Sequence, residues 1–164
     1  MTDFARLMSD YFVKYLAGQK GSGSNTMKTY RDTFVQLLEF MDEKKHIRAD
    51  CIEVDSFSYD IINEFLEYLE KEKRVSISTR NNRLAAIRSF FKYTGYHEPK
   101  YLNISTSIRE ISKKKTEGRQ MNYLSVNAME HFLNSFDKTD HKELRCFCIV
   151  LLLYESGARV TELC

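Results

Sequence analysis

One short segment combines residue types that could take part in chemistry: in residues 156–163, SGARVTEL, an arginine closely follows a glycine. Glu162 follows Arg159 by three residues, so the two side chains can share one face of a helix. A planar guanidinium held by a carboxylate presents its donors as a fixed fork, which suits a phosphate bound through two hydrogen bonds. The same spacing is typical of a buried structural ion pair. The local pattern leaves both interpretations open.

The sequence shows no residue pattern typical of a metal site or of a nucleotide-binding loop. The four histidines are scattered and have no paired spacing suited to zinc. Cys146 and Cys148 are two residues apart on a predicted helix, so they cannot share a metal, and we predict that both are small core residues. The glycine-rich residues 21–24 follow no predicted strand and lack the Gly-Lys-Ser/Thr ending of a nucleotide-binding loop. We therefore expect neither a metal nor a cofactor.

Length and composition restrict the class of protein that must position these side chains. The chain has 164 residues, of which 43% are hydrophobic and 29% charged, a globular balance. One proline and six glycines are too few for the turns of a β-sandwich or barrel and favour long helices. The longest apolar run, residues 146–154, is too short to span a bilayer. With four cysteines and no apparent signal peptide, we expect a cytoplasmic protein with reduced thiols.

Acidic and basic residues are segregated along the chain. Residues 50–72 hold eight acids and one base, whereas residues 73–97 hold six bases and no acid. A chain with a net charge of only +2 can in this way present one basic face, as nucleic-acid-binding proteins do. Segregation also arises where charges merely solvate helix surfaces, so charge alone does not decide between these interpretations.

Apolar residues at three- and four-residue spacings predict four helices in the first hundred residues. Their predicted extents are about 3–17, 25–45, 59–72 and 76–94. On the fourth helix Leu84, Ile87 and Phe91 form the buried side. The opposite side is basic and amide-bearing, without an acid, and includes Asn81, Asn82, Arg88, Ser89 and Lys92.

The remaining sequence predicts a linker and a second helical unit. Residues 98–120 are polar, basic and poorly periodic, with three successive lysines near their centre, which is typical of an interdomain linker. Helices are predicted to begin at Ser125, Asp140 and Val160. The stretch 144–153 is apolar on all sides, so we expect it to be buried by parts of a longer protein. The predicted domains are thus residues 1–97, the linker 98–120, and residues 121–164, whose last helix looks truncated.

Three stretches together resemble the tyrosine recombinase (phage integrase, Xer-type) family. Residues 26–40, which begin TMKTY, resemble the second helix of the family's SAM-like core-binding domain, and residues 78–93, STRNNRLAAIRSFFKY, resemble its last helix. Residues 151–163, LLLYESGARVTEL, resemble the box that carries the family's first catalytic arginine. The resemblance implies an all-α fold: a four-helix SAM-like core-binding domain, a linker, and a helical fragment of a truncated catalytic domain.

The resemblance also implies a function. The chain would be the DNA-binding portion of a site-specific recombinase that cuts and rejoins DNA through a phosphotyrosyl intermediate. The family's first catalytic arginine falls on Arg159 and its acidic partner on Glu162, whereas the tyrosine nucleophile and the other catalytic residues of the family match nothing here. We therefore expect Arg159 to be inactive alone, with Glu162 supporting it. The implied partners are duplex DNA at a specific recombination site and other recombinase protomers, without a membrane.

The second and fourth helices are expected to face the DNA, with the linker closing around it. Asn81 is the amide expected to read a base edge, and the three lysines of the linker should touch only phosphates. The predicted DNA-binding residues are Thr26, Lys28, Arg31, Arg80, Asn81, Arg83, Arg88, Lys92, Lys113, Lys114 and Lys115. Two other functions fit the same pattern: a helical protein-interaction module, and a stand-alone DNA-binding regulator without catalysis.

Overall fold

Every regular element in residues 2–116 and 123–163, the part of the chain that the computed structural model describes, is a helix. The prediction of an all-α fold is therefore confirmed. The chain divides into two units, Met1–Glu117 and Gly118–Cys164, called here the first and the second unit.

Residues 2–116, the described part of the first unit, form five α-helices. Helix α1 (Asp3–Asp10) continues as a π-helix (Tyr11–Gln19) and is followed by α2 (Ser24–Lys45), α3 (Tyr59–Lys71), α4 (Ile77–His97) and α5 (Leu102–Glu110). Short 3-10 turns occupy Ala49–Cys51, Val54–Ser56 and Pro99–Tyr101. The bounds of α2, α3 and α4 lie within three residues of those predicted from apolar spacing.

Side-chain caps explain why several of these helices begin where they do. The hydroxyl oxygens of Thr2, Ser58 and Ser76 accept hydrogen bonds from backbone N–H groups in the first turns of α1, α3 and α4. Each cap satisfies one of the N–H groups that have no partner within the helix. Helix α2 ends at His46, whose φ of 57° is left-handed and stops the helical hydrogen bonding.

An aromatic cluster centred on α4 holds the first unit together. The ring of Phe90 lies 5.3–5.5 Å from four other rings, those of Phe4, Tyr11, Phe34 and Phe91. Most of these pairs meet edge to face, a favourable arrangement for aromatic quadrupoles. Burial raises the pKa of the Tyr11 phenol, whose hydroxyl donates a 2.8 Å hydrogen bond to Ser89 Oγ. The cluster thereby joins α1, α2 and α4.

The predicted linker is helical and packed over much of its length, which differs from the prediction. Helix α5 packs on α4, where a Cβ built on Gly95 would lie only 2.7 Å from the Cβ of Ser105. Tyr101, Ile108 and Ile111 are buried in the hydrophobic core. Residues 98–111 therefore belong to the first unit, because apolar side chains at helical spacing find a place on α4. Residues 117–120 of the predicted linker and the boundary at residue 121 lie outside the described residues.

The start of α5 is also tied to α1. Lys100 Nζ and the Tyr101 hydroxyl donate hydrogen bonds of 2.6 and 2.9 Å to Asp3 Oδ2. These bonds lower the pKa of the Asp3 carboxyl, with the Lys100 bond contributing most. The first and fifth helices are thus joined at this end of the unit.

The described residues of the second unit, 123–163, form three helices, and these begin where the sequence predicted. They are α6 (Val126–Asn134), capped by Ser125, α7 (His141–Ser156), capped by Asp140, and α8 (Val160–Leu163). Gly157 ends α7 with a left-handed φ of 63°, where a side chain would be strained.

No described residue of the second unit is buried. Leu152 on α7 is 52% exposed, so this helix presents apolar surface to solvent in this structure. Cys146 and Cys148 are exposed free thiols, so the prediction that they are core residues is wrong in this structure. The predicted truncation at Cys164 lies outside the described residues.

Candidate nucleic-acid interface

Arg83 joins the N-terminal parts of α2 and α4. Its Nη1 donates hydrogen bonds to the backbone oxygen of Thr29 at 2.9 Å and to Thr33 Oγ1 at 3.2 Å. Thr33 is fully buried, and the Arg83 side chain is half-buried. The Nη1 of Arg83 therefore links α4 to α2, and the predicted contact of Arg83 with DNA stays a prediction.

A shallow polar hollow lies between these helix ends. Its volume is about 290 Å³. It is lined by Asn25, Thr26, Thr29, Tyr30, Asn82 and Ala85. Thr26 and Asn82 are exposed and make no side-chain hydrogen bond to any described residue, so their donors and acceptors face solvent. The structure thus brings the predicted Thr26 together with an amide, Asn82, that the sequence-based set omitted.

Three of the predicted cations have no ion-pair partner among the described residues. Lys28 and Arg31 are exposed on the neighbouring side of α2, beside Phe12 and Met27, and Lys92 is exposed on α4. None of the three forms an ion pair with a described residue. Each can therefore interact with an external anion without first breaking an internal bond.

The other half of α2 has the opposite electrostatic character. Lys44 lies 2.9 Å from a carboxylate oxygen of Glu72, and Lys45 pairs with Glu64 on α3. The acids of the segment 50–72 therefore neutralise the cations at the C-terminal end of α2. Because the cations at its N-terminal end have no such partners among the described residues, the unpaired positive charge of α2 lies toward its N-terminal end.

Arg80 lies in the interior, which differs from the prediction that it contacts DNA. Its side chain is 7% exposed, and its Nε lies 3.2 Å from Glu70 Oε1 on α3. Its Nη1 donates a 3.2 Å hydrogen bond to the carbonyl oxygen of Ser112. Arg80 is in the first turns of α4, where apolar periodicity does not reveal that α3 and the segment after α5 cover it.

Asn81 and Arg88 also bind backbone rather than facing solvent freely. The Asn81 Nδ2 donates to the Lys114 carbonyl at 2.7 Å, and its Oδ1 accepts from the Lys114 N–H at 3.0 Å. One Nδ2 hydrogen and one lone pair of Oδ1 are thus used within the protein, and the reading of a base edge by Asn81 stays a prediction. Arg88 Nη2 donates to the carbonyl oxygen of Arg109.

The three predicted lysines after α5 have different surroundings. Lys114 Nζ lies 2.7 Å from Glu70 Oε2, so its charge is paired within the protein. Lys113 and Lys115 are exposed and have no ion-pair partner among the described residues. Lys92 lines a separate groove of about 610 Å³ together with Arg109 of α5. Arg109 is a further exposed cation that was not predicted, because α5 itself was not.

In the second unit, Arg159 and Glu162 form the pair that their spacing predicted. Arg159 Nη1 lies 2.9 Å from Glu162 Oε1, and the Arg159 N–H donates to Glu162 Oε2 at 2.8 Å. The two side chains are 82% and 52% exposed, so this is a surface pair rather than a buried one. A guanidinium in this position can still donate hydrogen bonds to a phosphate as a second partner.

The described residues show neither a cluster suited to a metal ion nor a helix suited to spanning a membrane. They contain no group of three or more His, Cys, Asp or Glu side chains arranged to hold a metal ion. None of the helices seen in residues 2–116 and 123–163 has the length and apolar character needed to cross a bilayer.

Comparison with known proteins assigns the family. Residues 10–99 match the family model of the phage integrase N-terminal SAM-like domain. The match includes α2, α3 and α4 and covers more than half of the chain, so the protein belongs to the phage integrase family, as its resemblance implied.

Curated relatives are tyrosine recombinases. The chain is 30% identical to the tyrosine recombinase XerD of Vibrio vulnificus over 163 residues, covering 99% of the chain and 50% of that protein. It is 27% identical to XerC of Staphylococcus aureus over 158 residues, covering 95% of the chain and 49% of that protein. The chain thus spans about half the length of these relatives. No solved structure matches the chain.

Proposed function

We propose that the first unit binds duplex DNA as the DNA-binding portion of a site-specific tyrosine recombinase. The observation that carries the proposal is the polar hollow at the N-terminal ends of α2 and α4, with Lys28 and Arg31 beside it and without an ion-pair partner among the described residues, within the stretch that matches the integrase domain. Lys28 and Arg31 would bind phosphates beside this hollow, Lys92 would bind a phosphate further along α4, and Thr26 and Asn82 would face a groove of the DNA. The family match favours this function over a protein-interaction module or a stand-alone regulator.

Phosphate contact follows from the electrostatics of this surface. Duplex DNA carries a high density of negative charge, and each lysine or arginine that neutralises a phosphate releases condensed counterions. Cations without an internal partner are best suited to this, because no ion pair is lost on binding. Arg80, Arg83 and Asn81 would contribute indirectly, by fixing α2, α4 and the segment after α5.

We further propose that the complete protein cuts and rejoins DNA at a specific recombination site, in the cytoplasm and together with other protomers. In that reaction Arg159 would bind the non-bridging oxygens of the scissile phosphate, where negative charge develops in the transition state. Glu162 would hold the guanidinium in place. One such cation supplies only part of what phosphodiester cleavage requires, so we expect the present chain alone to bind DNA without cleaving it.

A salt titration of DNA binding tests the proposed function. If Lys28, Arg31, Lys92, Lys113 and Lys115 each neutralise one phosphate, the logarithm of affinity should fall against the logarithm of salt concentration with a slope of about −4 to −5. Fluorescence anisotropy with a labelled mixed-sequence duplex gives this slope. No binding at low salt, or binding that does not depend on salt, would contradict the proposal.

A further inference from the structure

The segment that follows α5 is held against α3 and α4 although it has no regular secondary structure. We call residues 111–115 the exit segment. It begins with the buried Ile111, which is 1% exposed, and continues through exposed residues that include Lys113, Lys114 and Lys115. Exposed polar segments of this kind are ordinarily loose, so the contacts that hold it call for an explanation.

The Asn81 side chain pairs with the backbone of the exit segment as a neighbouring β-strand would. Asn81 donates to the Lys114 carbonyl at 2.7 Å and accepts from the N–H of the same residue at 3.0 Å. The carbonyl of Ser112, two residues earlier, accepts from Arg80 Nη1 at 3.2 Å. Two successive side chains of α4 thus bind the exit segment at two points.

A single carboxylate completes the arrangement from α3. Glu70 places Oε1 3.2 Å from Arg80 Nε and Oε2 2.7 Å from Lys114 Nζ. The central lysine of the three is therefore paired with the protein, whereas Lys113 and Lys115 remain exposed without an acidic partner among the described residues. The ion pair of Lys114 with Glu70 thus holds the neighbouring exposed lysines, Lys113 and Lys115, close to α4.

We propose that Asn81 and Glu70 are positioning residues that hold the exit segment so that Lys113 and Lys115 meet DNA phosphates from a fixed place. This rests on the proposed function of the first unit. A free lysine tail must be ordered when it binds, and that entropic cost reduces affinity; lysines that are already held avoid it. The exit segment would thus be part of the DNA-binding surface rather than a flexible tether.

The first arm of the test measures the clamp without DNA. Asn81→Ala removes both bonds to Lys114, and the exit segment should then be cleaved by trypsin about ten-fold faster, because cleavage follows local opening. Mass spectrometry locates the cut sites. The matched control is Asn103→Ala, which removes an exposed amide of α5 that makes no side-chain hydrogen bond to a described residue, and it should leave the cleavage rate unchanged.

A second variant guards against a change in folding. Asn81→Asp has the same shape and keeps an acceptor for the Lys114 N–H, but it loses the donor to the Lys114 carbonyl. Its cleavage rate should lie between those of the wild type and Asn81→Ala. Circular dichroism should show the same helix content in all three proteins, since Asn81 is outside the hydrophobic core.

The second arm is a double-mutant cycle for binding to a labelled mixed-sequence duplex. Replacing Lys113 and Lys115 with alanine should weaken binding about ten-fold in the wild type but only about two-fold in the Asn81→Ala background. If Asn81 had only a structural role, Asn81→Ala would weaken DNA binding by the same factor with the two lysines present and with them replaced.

The outcomes separate this inference from the proposed function. Unchanged tryptic cleavage in Asn81→Ala, or additive losses in the cycle while the wild type binds DNA with a salt-dependent affinity, would overturn the inference and leave the proposed function standing. Absence of salt-dependent binding by the wild type would overturn both. Faster cleavage together with a reduced effect of the two lysines would establish the positioning role.

Discussion

Replacing Lys28, Arg31 and Lys92 together with alanine is expected to weaken binding to a mixed-sequence duplex by about 100-fold near 0.1 M salt. The three side chains are exposed and form no ion pair with a residue that the structure describes, so each can neutralise a phosphate without breaking such a pair. Losing three phosphate contacts should also make the salt slope shallower by about 2.7, at about 0.9 for each contact. Anisotropy titrations at several salt concentrations give both quantities.

The matched control for this variant removes three lysines from the opposite side. Lys44, Lys45 and Lys71 are paired with Glu72, Glu64 and Glu67, respectively. Replacing them with alanine changes the net charge by the same amount but should lower affinity by less than about three-fold, because long-range charge effects are screened. Equal losses in the two triple variants would mean that binding responds only to net charge, and the proposed surface would be wrong.

Arg80→Ala is expected to destabilise the protein by about 2 kcal/mol, because it removes the buried partner of Glu70 Oε1 and the donor to the Ser112 carbonyl, while Lys114 still pairs with Glu70 Oε2. This change in the free energy of unfolding is at or below the range for fully buried ion pairs, because 22% of the Glu70 side-chain surface is exposed. Urea denaturation followed by circular dichroism measures the change. Arg48→Ala, which breaks an exposed pair with Asp50, should cost less than about 0.5 kcal/mol.

A second comparison separates the ion pair from simple packing. In a Glu70→Gln background, Arg80→Met should cost less than it does in the wild type, because no carboxylate at position 70 then loses the Arg80 charge beside it. An equal cost in both backgrounds would show that Arg80 stabilises the unit through its aliphatic chain rather than through its charge.

The helices of the matched domain were predictable because their apolar residues recur at helical spacing over long stretches. Helices α2, α3 and α4 follow that spacing closely, so their observed bounds lie within three residues of the predicted ones. Helix α5 was not predicted, because its serines, threonine and flanking lysines concealed the spacing of Ile104, Ile108 and Ile111. Only packing on α4 distinguishes such a segment from a linker.

The site was predictable at the level of helices and less so at the level of side chains. The basic side of α4 was evident from the absence of acids, but helical position alone could not separate Asn81, which binds Lys114, from the exposed Asn82. Burial of Arg80 depends on Glu70 and on the exit segment, which are distant in sequence. Such long-range partners leave no mark in local periodicity.

The central claim is that the basic side of the first unit is the surface that binds DNA. The most direct test is a nuclear magnetic resonance titration of the isotope-labelled chain with a mixed-sequence duplex, following each backbone amide. We predict that the largest shifts fall in residues 24–31, 82–92 and 113–115, with little change along the acidic helix α3. Shifts concentrated on α3, or spread evenly over the first unit, would contradict the claim.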